Sequence, residues 1–292
     1  MILNGVDLYV EQHGPRDAPA LLFVHGHGAG SYHFLHYQAS RLSTDVRLIA
    51  LDQRGVLRSA PIGPDDRLDL SVLLEDYEAL REHLGIERWT ILGQSAGGNY
   101  AAAYATRYPE SVEAVVFDCP AWDMDLADRQ RLPIFAELYE QSGEIELAAE
   151  CRRVAGLTRR ITAADKTYEL AFGLGDRFQQ TFWYDPSQAA AFVTAGEAAG
   201  FPPEYWERGL SHGVLFAELY DSKIPLLAEI CQPTLLIRGA ADTAAPDTAV
   251  AAYLATARDP RVEIFERSGH FVFVEDPERY ADVVRDFVTL AR

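Results

Sequence analysis

Short runs that are apolar at every position alternate with amphipathic stretches along the first 120 residues. Ala20 to Val24 (Ala-Leu-Leu-Phe-Val) is one such run, and Val46 to Leu51, broken only by Arg47 and ended by Asp52, is close to another. Unbroken apolar runs of this length fit strands covered on both faces. Val6 to Gln12 also reads as a strand, closing before His13-Gly14-Pro15. Asp69 and Ser71 offer N-caps to a helix in which Val72, Leu73, Leu74, Tyr77, Leu80 and Leu84 recur at helical spacing, with Gly85 as its stop. A strand from Trp89 to Leu92, a turn, a helix from Asn99 to Arg107 halted by Pro109, and a strand from Val112 to Phe117 follow. Strands separated by helices predict βαβ units and a mostly parallel sheet.

The rhythm changes after Cys119-Pro120. Helical periodicity dominates as far as about Leu227, in Pro133 to Tyr139, Ile145 to Val154, Ala164 to Phe172 and Gln188 to Ala199. The α/β pattern then returns: a strand from Thr234 to Ile237, a helix from Asp247 to Thr256, a strand from Val262 to Phe265 and a helix from Pro277 to Leu290. The expected organisation is an α/β core formed by residues 1–120 and 228–292, with residues 121–227 inserted as a helical cap over a site.

Composition narrows the function. The chain has 292 residues, enough to bury a core without staples. It carries 26 basic and 44 acidic residues, a net charge of -18, which argues against general affinity for nucleic acid or an anionic membrane. Cys119, Cys151 and Cys231 form no metal-ligand spacing, and the N-terminus has no basic segment leading into an apolar run. No stretch is apolar for the roughly 18 residues of a membrane helix. A reduced, cytoplasmic setting is expected, and the oligomeric state is left open.

Candidate chemistry centres on Gly93-Gln94-Ser95-Ala96-Gly97, set between a strand and a helix. There a strained turn thrusts the Ser95 hydroxyl outward, and side chains at positions 93 and 97 would collide. A serine hydroxyl needs an imidazole to take its proton and a carboxylate to orient that imidazole. Asp242 follows the strand Thr234 to Ile237, and His270 follows the strand Val262 to Phe265, so all three belong to loops at strand ends. Asp118, after the strand Val112 to Phe117, is a competing acid. The oxyanion donors expected are the backbone N–H groups of Ala96 and of His27, in the turn His25-Gly26-His27-Gly28. His25 reads as structural, tying that turn through a hydrogen bond. No metal or nucleotide motif is present, so no cofactor is expected.

The turn at His25, the segment Asp52-Gln53-Arg54-Gly55 with Arg58-Ser59, the helix running to Gly85-Ile86-Glu87-Arg88-Trp89, the Ser95 elbow and Tyr104 to Glu110 together resemble the α/β-hydrolase superfamily. Within it, Asp-Gln-Arg-Gly is similar to prolyl aminopeptidases (proline iminopeptidases). The resemblance implies an α/β-hydrolase fold, with a mostly parallel sheet flanked by helices and capped by an insertion. It also implies a cofactor-independent serine hydrolase that forms an acyl-enzyme and cleaves an N-terminal aminoacyl amide of a small molecule or short peptide. The sequence departs from that narrower family at His27-Gly28-Ala29-Gly30, Val56-Leu57 and Ala96, all around the acyl pocket. Family members hold the substrate amine with glutamates, and Glu218 is the candidate here. Aromatic residues crowd the insertion; Trp183 and Trp206 are candidates for an apolar substrate pocket. Hydrolysis of an ester, a lactone or a carbon–carbon bond is the alternative chemistry, and a non-catalytic binder on the same scaffold the alternative class.

Overall fold

The computed structural model describes residues 1–63 and 65–290. Two short strands, β1 (Ile2–Leu3) and β2 (Val6–Asp7), pair antiparallel around Asn4 and Gly5, both at positive φ. The main sheet holds β3 (Val10–His13), β4 (Ala20–Val24), β5 (Arg47–Leu51), β6 (Trp89–Gln94), β7 (Val112–Asp118), β8 (Thr234–Gly239) and β9 (Pro260–Phe265) in the order β3-β5-β4-β6-β7-β8-β9. Every neighbouring pair is parallel except β3 with β5. The strand expected from Val6 to Gln12 is therefore two strands. Between them the Leu8 N–H donates to the Met1 carbonyl and the Tyr9 N–H to Ser59 Oγ, both at 2.9 Å, which takes the backbone out of the ladder.

Alternation along the strands divides the interior. Leu22, Val24, Ile49, Leu51, Ile91, Val115 and Phe117 face one layer, while Leu21, Phe23, Leu48, Ala50, Leu92, Val116 and Ile237 face the other. Both faces are covered, as the apolar runs require. Helix α1 (Tyr32–Leu42) buries Phe34, Leu35 and Leu42 together with Gln38, whose amide donates to the carbonyls of Phe273 and Pro277. Helix α2 (Leu70–His83) starts at Asp69, whose side chain accepts from the Val72 N–H at 3.0 Å. Helix α3 (Ala96–Arg107) begins three residues earlier than periodicity indicates.

Between β7 and β8 the chain is helical: α4 (Met124–Gln141), α5 (Ile145–Ala155), α6 (Thr167–Phe172), α7 (Asp176–Gln180), α8 (Ser187–Ala198), α9 (Pro203–Glu207) and a 3-10 segment, Arg208–Tyr220. Helix α4 is longer than expected. Asp123 caps it, and Pro133 lies inside, where burial of Leu132, Phe135, Ala136 and Tyr139 outweighs one lost backbone bond. The helix expected from Ala164 to Phe172 is interrupted at Lys166, which adopts φ 53. After β8 come α10 (Asp247–Thr256), α11 (Val272–Glu275) and α12 (Pro277–Leu290). No helix among the described residues is long and apolar enough to cross a membrane.

Candidate active site

Ser95 sits between β6 and α3 at φ 57 and ψ -122, a conformation that costs a non-glycine residue of order 1–3 kcal/mol. Three backbone bonds of 2.9 Å hold it: its N–H donates to the Asp118 carbonyl, and its carbonyl accepts from the Gly98 and Ala121 N–H groups. A Cβ at Gly93 would lie 2.2 Å from the Gly97 carbonyl oxygen, and one at Gly97 would lie 2.2 Å from that of Val24. Gly97→Ala is therefore expected to cost at least about 3 kcal/mol, read as a lowered urea midpoint, because backbone rather than a flexible side chain must move.

On the loops after β8 and β9, His270 Nδ1–H donates to Asp242 Oδ1 at 2.7 Å, and both side chains are buried. That bond places the proton on Nδ1 and leaves Nε2 with the basic lone pair. Burial works to raise the Asp242 carboxyl. The charge of His270, its hydrogen bond and the N–H groups of Ala244 and Ala245 outweigh burial and hold it below the ordinary value.

Asp118, the competing acid, is also fully buried but is engaged elsewhere. Its Oδ2 accepts from the Tyr280 hydroxyl at 2.9 Å, while Oδ1 has no partner among the described residues. Burial pushes it up to about 7, against the opposing effects of Tyr280 and His270. Cys119, at φ 44, completes the neighbourhood: its Sγ lies within 4.8 Å of ligand atoms of Asp242 and His270, and burial and the two nearby carboxylates raise its thiol well above the usual range.

The glycine-rich turn lies against the elbow. A Cβ built on Gly26 would be 3.1 Å from Ser95 Cβ, and the Ala29 N–H closes the turn on the Gly26 carbonyl at 3.2 Å. Ala96 opens α3, so its N–H has no intrahelical partner. His25 ties the turn down: Nδ1–H donates to the Gly26 carbonyl at 2.7 Å, and Nε2 accepts from the Gln53 N–H at 3.0 Å. Desolvation lowers both His25 and His27 to about 4, so both rings are neutral.

A cavity of about 550 Å³ opens beside His27 and Gly28. Tyr168, Phe172, Trp206, Leu210, Val214 and Phe216 line it from the helical segment, and the Phe216 ring stands edge-on to His27 at 4.9 Å. Among the sequence candidates, Trp206 lines this cavity. Trp183 packs elsewhere, against Phe271 at 4.9 Å and Phe192 at 5.4 Å. Glu218 is half-buried, two residues beyond Phe216, and its charge acts on the buried Tyr100 hydroxyl of α3.

Two features escape sequence reasoning. His212 donates from Nε2 to the Arg54 carbonyl at 3.0 Å, docking the helical segment on Asp52-Gln53-Arg54-Gly55. Glu275 accepts three backbone N–H groups beside His270. A lone carboxylate after the apolar run Phe271 to Val274 is the only signal for the second.

This strand order, with helices on both faces and a strained serine between β6 and α3, defines an α/β hydrolase. Residues 19–277 match the model of the alpha/beta hydrolase fold family; the chain belongs to that family and is a hydrolase. It is 25% identical to a proline iminopeptidase from Heyndrickxia coagulans over 92% of this chain and 90% of the relative. A bifunctional esterase/perhydrolase from Acinetobacter calcoaceticus is 35% identical over 36% of this chain, and the matched part is 38% of that relative's length. The crystal structure of a proline iminopeptidase-related protein from Thermus thermophilus superposes with a TM-score of 0.76 at 22% identity, over 100% of this chain and 96% of the other.

Proposed function

We propose that the chain is a serine hydrolase that cleaves the ester bond of a neutral, apolar acyl substrate through an acyl-enzyme. The observation that carries the reading is the buried His270–Asp242 pair at 2.7 Å, set at the same end of the sheet as the strained Ser95 turn. Ser95 Oγ attacks the carbonyl as His270 Nε2 takes its proton. The oxyanion is held by the N–H groups of Ala96 and His27, each worth a few kcal/mol in the transition state. His270 then protonates the departing alcohol, and water, deprotonated by the same nitrogen, releases the acid. Asp242 remains ionised throughout and keeps the imidazole in the productive tautomer. Residues 121–227 act as the cap over this site, and the free thiols of Cys119, Cys151 and Cys231 suit a cytoplasmic enzyme.

The cavity beside His27 favours an ester over an aminoacyl amide. None of its described lining residues carries a charge, so none of them offers a counter-ion to a substrate ammonium. The aminopeptidase reading keeps two supports: the similarity to a proline iminopeptidase over nearly the whole chain, and Glu218, a half-buried carboxylate of the helical segment. Rates on p-nitrophenyl butyrate and on alanyl and prolyl p-nitroanilides separate the two. The ester should be turned over with kcat/KM at least about 100-fold above either anilide; the reverse order, lost in Glu218→Gln, would establish the aminopeptidase. Trp206→Ala should raise KM for octanoate esters about tenfold and leave acetate esters near wild type, since about 1.4 kcal/mol of apolar contact is removed from the longer chain alone.

A further inference from the structure

The cap touches the histidine loop through a set of bonds that the hydrolytic steps do not use. The His270 N–H donates to the Phe182 carbonyl at 2.6 Å. Glu275, the last residue of α11, bridges the same two segments: Oε2 accepts from the Gly269 N–H at 2.6 Å, and Oε1 accepts from the Tyr184 N–H at 2.9 Å and the Asp185 N–H at 3.1 Å. The approach is close enough that a Cβ at Gly269 would lie 2.3 Å from the Phe182 carbonyl oxygen and 2.9 Å from the Tyr184 nitrogen. The Phe182 ring lies 5.1 Å from the His270 ring. Trp183, the residue between, is buried against Phe271, the neighbour of His270.

We propose that Glu275 is a positioning residue that couples the seating of the cap to the placement of His270, so that the general base is in register with Ser95 only while residues 182–185 are docked. Both carboxylate oxygens are needed, because one serves the histidine loop and the other serves the cap. A carboxylate accepts on both sides, whereas an amide of the same shape presents an N–H₂ group to one side and opposes a backbone N–H there. The remaining tie, Phe182 carbonyl to His270 N–H, transmits any shift of the cap straight to the base. A displacement of about 1 Å at a catalytic group is enough to cost 100-fold in rate.

The inference rests on the serine-hydrolase reading and is tested on the full-length chain with Glu275→Gln and Glu275→Asp. Glu275→Gln is expected to lower kcat on p-nitrophenyl butyrate about 100-fold with KM changed less than about threefold. Glu275→Asp, with both oxygens but a shorter reach, should recover part of the rate. Hydrogen exchange supplies a readout independent of turnover: the amides of 182–185 and 269–271 should lose protection together in Glu275→Gln, and slow together when wild type is phosphonylated by a fluorophosphonate, which loses fluoride. Wild-type kcat in folded Glu275→Gln, or loss of protection on one segment alone, would overturn the coupling. Should Glu275→Gln not fold, the wild-type exchange experiment decides, and unlinked responses of the two segments overturn the proposal. A wild type that hydrolyses nothing and binds no phosphonate would instead count against the serine-hydrolase reading; exchange in Glu275→Gln would still judge the coupling.

Discussion

Ser95→Ala is expected to lower kcat on a p-nitrophenyl ester by about 10⁵-fold or more while leaving the folded structure intact. The hydroxyl is the only atom removed, and it forms no bond within the described chain that folding depends on; the strained turn is held by backbone bonds to Asp118, Gly98 and Ala121. Alanine keeps the Cβ that φ 57 strains, so the melting temperature should stay close to that of wild type. A residual rate of about 10³-fold over water is expected from the oxyanion donors and substrate binding, which remain. Circular dichroism with single-turnover kinetics checks both halves. A variant that keeps a tenth of its activity would remove Ser95 from the chemistry.

The second large effect separates the two buried acids. Asp242→Asn should cost about 10⁴-fold in kcat, because an amide facing Nδ1 forces the wrong imidazole tautomer. Asp118→Asn should stay within about threefold of wild type, since the Tyr280 hydroxyl still finds a carbonyl acceptor. The two variants should also differ in stability against pH. Asp118 is raised in the folded state to about 7, so between its ordinary value and that pH the folded protein binds more protons than the unfolded one. Stability from this group accordingly falls as pH rises through that window, by up to a few kcal/mol. Asp118→Asn removes the loss and should be more stable than wild type at pH 8, with the gap closing near pH 4. Asp242 is shifted the other way: its contribution is present above the ordinary carboxylate value and is lost as pH falls below it. Melting curves of both variants from about pH 2 to pH 9 test the signs.

The parallel sheet was legible because β4, β5 and β7 are apolar at nearly every position, a pattern that only strands buried on both faces require. The triad candidates were legible because each follows a strand, although β9 alternates in polarity and does not run apolar. What the pattern obscured has particular causes. Gln38 takes a buried place on α1 among Phe34, Leu35 and Leu42, and only the fold shows the two carbonyls that satisfy it. Pro133 reads as a stop, yet the packing of Phe135 and Tyr139 carries α4 through it. Asp52-Gln53-Arg54-Gly55, which carries much of the family resemblance, is architectural here: Arg54 makes two bonds of 2.6 Å to buried Asp76, and its carbonyl receives His212. That segment therefore speaks of how the helical segment docks more than of what is cleaved. The substrate side was illegible because the cavity is assembled from residues of α6, α9 and the 3-10 segment that meet only after folding.

Reaction of the folded protein with a fluorophosphonate, followed by peptide mass spectrometry, tests the central claim most directly. One adduct per chain is expected, carried by the peptide that contains Ser95, absent from Ser95→Ala and formed at least about 100-fold more slowly in His270→Ala. Folded wild type that remains unlabelled, or an adduct that persists in Ser95→Ala, would contradict it.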